Sequence, residues 1–228
     1  MRQHTIIWDF DGTILPTEPY DSEQSLLIHK LSEQKKEISL LKRWVARVII
    51  YADMKEWIGK YFKKYYIWVL KGTHTDTLDE VAKHLAEKIS EKDRQTFFRL
   101  KANGHYMMII SCGTLDLSER ILKVAGVDKC FELIEGNRFQ IENNKIVGMD
   151  MFVPAPEDKL KLISAQGVFP EQSVVVGDGY TDLPLLDRAG LPVMIDRTGK
   201  KKDQFANKGY SFISSICEIM ELIEKGFE

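Results

Sequence analysis

Short apolar runs that stop abruptly at a polar residue recur along this 228-residue chain. The runs are Thr5–Trp8, Tyr106–Ile110, Ser173–Val176 and Pro192–Ile195, followed by Asp9, Ser111, Gly177-Asp178 and Asp196. Each run is of strand length and shows little alternation, which predicts strands buried on both faces. Ligands of such parallel sheets bind beyond the carboxyl ends of the strands. The polar residues that close the runs are therefore the candidate site.

Helical periodicity fills most of the chain between these runs. The helical segments are Lys92–Asn103, Leu117–Ala125, Glu157–Gln166, Asp182–Ala189 and Ile216–Glu224. The alternation predicts an α/β fold, a Rossmann-like and mainly parallel sheet with helices on both faces. Two short apolar segments around Asn143 and Asn144 predict a small β-hairpin with a tight turn.

One long stretch shows helical periodicity without any strand pattern. Its segments cover Asp21–Glu37, Ile38–Leu70 and Thr77–Lys88, and Lys71–Asp76 is a predicted loop in which Thr75 or Asp76 is the expected N-cap. We expect an inserted helical cap domain over residues 17–86. Residues 1–16 and 87–228 would then form the Rossmann-like catalytic core.

Composition excludes several classes of protein. With a formal net charge of −2 and 44% hydrophobic residues, the chain is too apolar for disorder and carries no general signal for nucleic acid. Its three cysteines show no paired spacing, which favours a reducing compartment. No apolar run approaches the ~18 residues that cross a bilayer, and no secretory signal is visible, so we expect a cytoplasmic protein without a membrane partner.

The first polar cluster, Asp9–Thr13, reads D-x-D-G-T directly after a strand. Two carboxylates so close together repel each other unless a cation offsets their charge. Mg²⁺ prefers such oxygen ligands. One carboxylate could then act as a nucleophile and the other as a proton donor and acceptor. The alternative is a solvated Asp-Gly turn.

Three further clusters follow along the chain. Gly177–Asp182 offers two carboxylates among glycines, and Ser111–Thr114 offers a hydroxyl and backbone N–H groups suited to a phosphate. Lys159 lies near the start of a predicted helix. Taken singly, these features are more typical of a turn, an N-cap and a surface lysine. A cysteine-based phosphatase loop at Cys112 is excluded, because the arginine it requires is replaced by Ser118.

In order and spacing, the four clusters resemble the haloacid dehalogenase-like superfamily of phosphohydrolases, over nearly the whole chain. The resemblance implies that Asp9 is the nucleophile that forms an aspartyl-phosphate and that Asp11 is the general acid and base. It implies that Ser111 binds a phosphoryl oxygen and that Lys159 offsets charge. It also implies a Mg²⁺ cofactor. Its ligands would be Asp9, the Asp11 backbone carbonyl and Asp178, with Asp182 on the metal side or behind it.

Within the superfamily the chain is most similar to the phosphoserine phosphatase branch. Glu18 lies nine residues after Asp9, where the branch places a glutamate that contacts the substrate amine. The branch would also place Cys112, Gly113 and Thr181 against the substrate. The chain departs from the branch pattern at Cys112 and Thr181, where glycine and asparagine are usual. Candidates for a substrate-carboxylate contact are Arg43 and Arg47.

The expected function is therefore Mg²⁺-dependent hydrolysis of a small phosphomonoester. Esters of the phosphoserine, methylthiopentenyl-phosphate and phosphocholine types are all compatible with the pattern. A phosphomutase and a non-catalytic phospho-ligand-binding module are the alternatives. Nucleic acid is the less favoured partner.

The segment Leu41–Lys71 is both basic and aromatic. It holds eight lysines or arginines against two acids, interleaved with eight aromatic residues. We expect the aromatic residues to form the core of the insert and the lysines to form a solvated face. The alternatives are an electropositive lid that steers an anionic substrate and a nucleic-acid surface. A second lysine-rich segment, Gly199–Lys202, is expected to be a solvated loop.

Overall fold

The computed structural model describes residues 3–33, 38–55 and 57–226. Its strands form one seven-stranded sheet in the order β4-β3-β2-β1-β5-β6-β7. The strands are β1 Thr5–Trp8, β2 Tyr106–Thr114, β3 Leu133–Glu142, β4 Lys145–Asp150, β5 Ser173–Gly177, β6 Leu191–Ile195 and β7 Ser211–Ile213. Neighbouring strands are parallel except for β3 and β4. The predicted α/β fold with a mainly parallel sheet is confirmed.

Ten α-helices surround this sheet in the described part of the chain. They are α1 Ser22–Glu33, α2 Leu40–Met54, α3 Phe62–Leu70, α4 Asp76–Ala86, α5 Glu91–Ala102, α6 Leu115–Ala125, α7 Pro156–Ala165, α8 Leu183–Leu186, α9 Lys201–Gln204 and α10 Ile219–Gly226. Helices α1–α4 come between β1 and α5, as the sequence predicts for the insert. Residues 34–37, the end of the first predicted helix of the insert, lie outside the described residues. The boundaries of a separate cap domain stay a prediction.

The central strand β1 is buried on both faces. Ile6 and Trp8 belong to one hydrophobic core, whereas Ile7 belongs to a second core on the opposite side of the sheet. The same alternation separates Val174 and Val176 from Val175 on β5. These two cores explain why the strands read as continuous apolar runs rather than alternating patterns.

Strand β2 is longer than predicted. Residues 111–114, expected as a loop before a helix, continue the strand, because pairing with β3 resumes between Thr114 and Asn137 after a register shift. The Asn137 side chain fastens this irregular segment by donating to the Cys112 carbonyl at 2.8 Å. Helix α6 then begins at Leu115 without a side-chain cap from Thr114, so the N-cap alternative is wrong.

The predicted β-hairpin is confirmed, and its second strand also pairs with the helical insert. Asn143 and Asn144 form its turn with φ values of 48° and 59°, the left-handed region that asparagine tolerates. The loop before α4 pairs with β4 through hydrogen bonds from Gly72 N–H to the Ile146 carbonyl and from Ile146 N–H to the Thr73 carbonyl. These bonds attach the helical insert to the edge of the sheet.

Two differences lie in the C-terminal part of the fold. The helix predicted over Asp182–Ala189 is a 3-10 turn, Tyr180–Asp182, followed by the four-residue α8. The Asp182 carboxylate stabilises the 3-10 turn by accepting backbone N–H groups of residues 178 and 179, and α8 ends three residues before the predicted end. Strand β7 was not predicted, since three residues are too few to show a periodicity. Among the described residues, no helix is long and apolar enough to cross a membrane.

Candidate active site

The carboxyl ends of β1 and β5 lie side by side at the centre of the sheet. Trp8 pairs with Val176, and the pairing continues one residue further, with Asp9 N–H donating to the Val176 carbonyl at 2.9 Å. This register brings the D-x-D-G-T segment against the G-D-G segment after β5. Asp9, Asp178 and Asp182 consequently offer carboxylate oxygens that lie within 4.8 Å of one another.

Lys159 is fully buried and lies between two of these aspartates. Its Nζ is 2.6 Å from Asp9 Oδ1 and 2.6 Å from Asp182 Oδ1. Helix α7 carries it there from a start fixed by Pro156 and by Asp158, which accepts from the Ala155 N–H at 3.1 Å. Burial disfavours the ammonium ion, but Asp182 and Asp9 outweigh burial and raise the Lys159 pKa above its usual range. Lys159 is therefore a charged group of the site, and the surface-lysine alternative is wrong.

Asp182 organises the loop after β5. Its Oδ2 accepts the N–H groups of Asp178 at 2.8 Å and Gly179 at 3.2 Å, while its other oxygen faces Lys159. Gly177 permits this fold, because a Cβ there would come within 2.5 Å of the Asp182 Cβ. With both Asp182 oxygens engaged, Asp9 and Asp178 are the carboxylates best placed to bind a cation.

Negative charge is concentrated in this cluster beyond what the lysines offset. Burial and repulsion from Asp182 raise the pKa of Asp9 and, more modestly, that of Asp178, against the opposing effects of Lys159 and Lys201. Raised carboxylate pKa values are the sign of a site that would gain from a further cation. The all-oxygen donor set fits Mg²⁺.

Asp11 points toward the insert. Ser22 at the start of α1 holds it with two hydrogen bonds, from the backbone N–H to Oδ1 at 2.9 Å and from Oγ to Oδ2 at 2.7 Å. Burial raises the pKa of Asp11 to about 6, although the Ser22 hydrogen bonds oppose the shift. A carboxyl group with such a pKa can give and take a proton near neutral pH.

The Ser111–Thr114 segment lies directly against Asp11. A Cβ at Gly113 would be 3.1 Å from both Asp11 Oδ2 and Ser111 Oγ, and the Gly113 N–H donates to Ser111 Oγ at 3.0 Å. Ser111 is buried beside this N–H group. A hydroxyl and a nearby backbone amide on this side of the aspartates are suited to binding phosphate oxygens.

The remaining predicted residues lie less deep. Burial raises the pKa of the Cys112 thiol to about 11, so Cys112 is not a thiolate at neutral pH. Glu18 and Thr181 are exposed. Glu18 lines a cleft together with Asp178 and Lys201.

An ion pair inside the insert was missed by the sequence analysis. Lys63 of α3 pairs with the buried Glu23 of α1, which also accepts a hydrogen bond from the Thr114 hydroxyl. Lys63 lowers the pKa of Asp11 against the larger effect of burial, so its charge reaches the site. Among the described residues, Lys63 is thus a cation of the insert whose charge reaches the site, whereas of the candidates on α2 Arg43 is half-buried and Arg47 is exposed. The spacing of three residues between Lys63 and Tyr66, which puts both on one side of α3, was the available sequence signal for this contact.

A second missed feature is the loop after β6. Arg197 donates to the backbone carbonyls of Gly12 and Thr13, the latter at 2.6 Å, and Lys201 Nζ lies 2.6 Å from Asp178 Oδ2. The prediction of a solvated loop over Gly199–Lys202 is therefore wrong for Lys201. Periodicity could not reveal this contact, which joins residues more than twenty positions apart.

The fold and the site together define a Rossmann-like α/β protein with a buried cluster of aspartates and a lysine at the carboxyl edge of its sheet. The chain belongs to the haloacid dehalogenase-like hydrolase family, whose sequence model matches residues 6–187.

Relatives and solved structures agree with this assignment. A phosphoserine phosphatase of Archaeoglobus fulgidus is 26% identical over 89% of this chain and 55% of its own length. A phosphoglycolate phosphatase of Aquifex aeolicus is 24% identical over 95% of this chain and 96% of its own length. The chain thus spans about half the length of the Archaeoglobus relative. A solved substrate-bound phosphoserine phosphatase shares the fold with a TM-score of 0.70 and 17% identity, over 99% of both chains.

Proposed function

We propose that this protein is a phosphatase that hydrolyses a small phosphate monoester through a phosphoryl-aspartate at Asp9. The observation that carries the proposal is the buried Lys159 held 2.6 Å from Asp9 Oδ1, whose positive charge favours the carboxylate form of Asp9 and whose contact orients it where it could attack. The printed names of relatives, phosphoserine phosphatase and phosphoglycolate phosphatase, support the reaction class. A solved phospho-aspartyl intermediate analogue with the same fold, at a TM-score of 0.69, supports the intermediate.

The reaction would proceed in two steps. An Asp9 oxygen attacks phosphorus, the ester P–O bond breaks, and the leaving oxygen takes a proton from Asp11. Asp11, now a carboxylate, then takes a proton from a water molecule that attacks the same phosphorus. The second step releases inorganic phosphate and restores Asp9. Asp11 can serve in both steps because its pKa is raised to about 6, chiefly by burial.

The surrounding residues would stabilise negative charge rather than react. Lys159 offsets the charge of the phosphoryl group beside Asp9, and Ser111 and the Gly113 N–H bind its oxygens. Mg²⁺, held by Asp9, Asp178 and the Asp11 carbonyl, would neutralise the negative charge that Lys159 and Lys201 do not offset. Asp182 positions Lys159 and the loop that carries Asp178.

The insert would close over the leaving group. Ser22 and Lys63 from its helices both act on Asp11, which supports assigning residues 17–86 to a cap domain. Phosphoserine and phosphoglycolate, the substrates in the names of the relatives, both carry a carboxylate. Lys63 is the residue we propose to select a leaving group of that charge.

A phosphate-release screen over small phosphomonoesters, with Mg²⁺ and with EDTA, tests this function. We expect release by the wild type from at least one ester and none from Asp9→Asn. Full activity of Asp9→Asn would contradict the proposal. So would isomerisation of a phosphosugar without phosphate release, which indicates a mutase, or tight binding of an ester without turnover, which indicates a binding module.

A further inference from the structure

Large apolar side chains cover the outer surface of α2, α3 and the segment between them. This set, which we call the aromatic face, is Leu40, Leu41, Trp44, Val48, Tyr51, Met54, Trp57, Tyr61, Tyr65 and Trp68, with exposed fractions from 40% to 79%. The expectation that the aromatic residues of the insert form its core is wrong for most of them. In this segment, Phe62 and Tyr66 alone of the described aromatic residues are buried.

Helix α2 is apolar on two opposite sides. Ala46, Ile49 and Ile50 pack into the core of the protein. Trp44 and Val48, four residues apart, lie on the exposed side of the helix. Leu41 is three residues before Trp44 and Tyr51 is three residues after Val48, so both lie on that side too. A solvated helix normally carries polar residues on its outer side.

The aromatic face is continuous across the two helices. The Trp57 ring packs edge-on against Tyr51, with 5.9 Å between ring centroids. At the other end of α2, Lys42 Nζ lies 5.6 Å from the centroid of the Trp68 ring of α3. Exposed apolar patches of this extent mark interaction sites.

Positive charge surrounds this apolar surface. Arg47, Lys55, Lys64 and Lys71 are exposed on the same segment. Of the two acids in this segment, Asp53 is half-buried and accepts a hydrogen bond from Gln24 at 2.7 Å, and Glu56 lies outside the described residues. The aromatic face therefore offers a partner apolar contacts within a cationic rim.

We propose that the aromatic face docks the protein onto the surface of an anionic phospholipid bilayer. Tryptophan, tyrosine and leucine within a rim of lysine and arginine match the acyl–headgroup boundary, and the rim complements anionic headgroups. A second copy of the chain would bring like charges together. A nucleic acid would stack on the rings but leave Leu40, Leu41, Val48 and Met54 without a partner.

This docking goes beyond the proposed hydrolysis and does not depend on it. The sequence predicted no membrane partner because no apolar run is long enough to span a bilayer, but peripheral docking needs no such run. The aromatic face lies on the outer sides of α2 and α3, whereas Lys63 and Tyr66 face Glu23 and Thr114 on the inner side. Docking and the candidate active site can therefore be tested separately.

The test is vesicle flotation of the full chain with phosphatidylcholine alone and with added phosphatidylglycerol. We expect co-flotation with the anionic vesicles, reduced by salt, and little with the neutral ones. Trp8 is fully buried, so a blue shift of tryptophan emission on vesicles would report on Trp44, Trp57 and Trp68. Absence of binding to phosphatidylglycerol vesicles at low salt would overturn the proposal.

Variants locate the binding surface. Trp44→Ser and Tyr51→Ser should each weaken partitioning about tenfold, and Arg47→Ser and Lys64→Ser should each weaken it about fivefold. The matched controls are Phe98→Ser and Phe169→Ser, whose side chains are 51% and 59% exposed outside the insert. Unchanged thermal unfolding would show that all variants fold.

Three results would contradict a bilayer partner. Equal losses in the Phe98 and Phe169 controls would show non-specific adsorption. A concentration-dependent dimer that Trp44→Ser dissociates would assign the aromatic face to a second copy. Preferential binding of a single-stranded oligonucleotide over anionic vesicles at matched salt would assign it to nucleic acid.

Discussion

At the residue scale, Lys159 is the side chain on which the site depends most. It is fully buried with two carboxylates as partners, and removing a buried cation leaves those carboxylates uncompensated. We expect Lys159→Met to abolish turnover and to lower the free energy of unfolding by about 3–5 kcal/mol in metal-free buffer. Urea denaturation measures the second effect.

Lys161 is the matched control on the same helix. Its side chain is 78% exposed and pairs with Asp158 three residues earlier. Exposed pairs contribute little, so Lys161→Met should leave the free energy of unfolding nearly unchanged. Similar losses in the two variants would show that the contacts of Lys159 are not what stabilises this region.

Two neighbouring lysines of α3, Lys63 and Lys64, form a second matched pair, which tests the proposed contact with the substrate. Lys63 faces Glu23 and the site, whereas Lys64 is exposed. We expect Lys63→Met to lower kcat/KM for a carboxylate-bearing phosphomonoester about tenfold or more, mainly through KM, because a charge-assisted contact is lost. Lys64→Met should leave kcat/KM for a water-soluble ester unchanged, and a loss of equal size there would contradict the assignment.

The residues of the site differ in how far the sequence predicts them. Asp9, Asp11 and Asp178 follow strands that are recognisable from their apolar runs, so their meeting at one sheet edge could be predicted. Glu23 and Lys63 could not be placed, since helical periodicity does not say how separate helices of an insert pack against each other. Their ion pair is a tertiary contact across forty residues.

At the element scale, Asp196 fixes the loop that supplies Arg197 and Lys201 to the site. Its carboxylate accepts the backbone N–H groups of Lys200, Lys201 and Lys202 at 3.1, 2.8 and 3.0 Å. Burial alone would raise the pKa of Asp196, but these hydrogen bonds outweigh it and hold the pKa below the ordinary value of 3.8. The ionised carboxylate is thus the form that stabilises the fold.

This shift predicts a pH dependence of stability. Because the folded-state pKa is depressed, the contribution of Asp196 is complete above pH 3.8 and is lost as the pH falls through the folded-state value. We expect Asp196→Asn to cost about 1–2 kcal/mol at pH 7 and progressively less below pH 3.8. Asp203→Asn, on the exposed side of the same segment, is the control. A difference in the free energy of unfolding between the wild type and Asp196→Asn that grows on acidification would contradict this role.

Element boundaries failed where long-range contacts override local pattern. Residues 111–114 contain the serine and glycine typical of a loop, yet pairing with β3 extends the strand through them. The predicted start of a helix at Asp182 is instead a 3-10 turn, in which the Asp182 carboxylate binds the preceding backbone and, across 23 residues, Lys159. In both places a site residue departs from the local preference of its segment, and the departure creates the site geometry.

At the scale of the whole molecule, the net charge of −2 conceals a separation of charge. Carboxylates gather at the carboxyl edge of the sheet, and cations gather on α2 and α3. The sequence predicts this separation and the α/β order of strands and helices. It could not predict which apolar side of α2 faces inward, because both sides carry apolar residues at helical spacing.

Metal binding should affect the stability of the entire fold, since its candidate ligands come from the ends of two different central strands. We expect Mg²⁺ to raise the unfolding temperature of the wild type. At a free Mg²⁺ concentration of a hundred times Kd, the free energy of unfolding should rise by about 2.7 kcal/mol. Asp178→Asn should abolish this metal-dependent shift, and EDTA should abolish phosphate release. An equal shift with monovalent salt of the same ionic strength would indicate screening instead.

The central claim is that Asp9 carries the phosphoryl group, and locating that group by mass spectrometry tests it most directly. Asp11→Asn should slow the attack of water, whereas an aryl phosphate, whose leaving group departs without a proton from Asp11, should still phosphorylate the enzyme and let the intermediate accumulate. This variant is therefore mixed with an aryl phosphate and quenched in acid. We predict a phosphoryl group on Asp9 that is removed by hydroxylamine and absent from an Asp9→Asn, Asp11→Asn double variant. A phosphoryl group on another residue, or turnover by Asp9→Asn at the wild-type rate, would contradict the account.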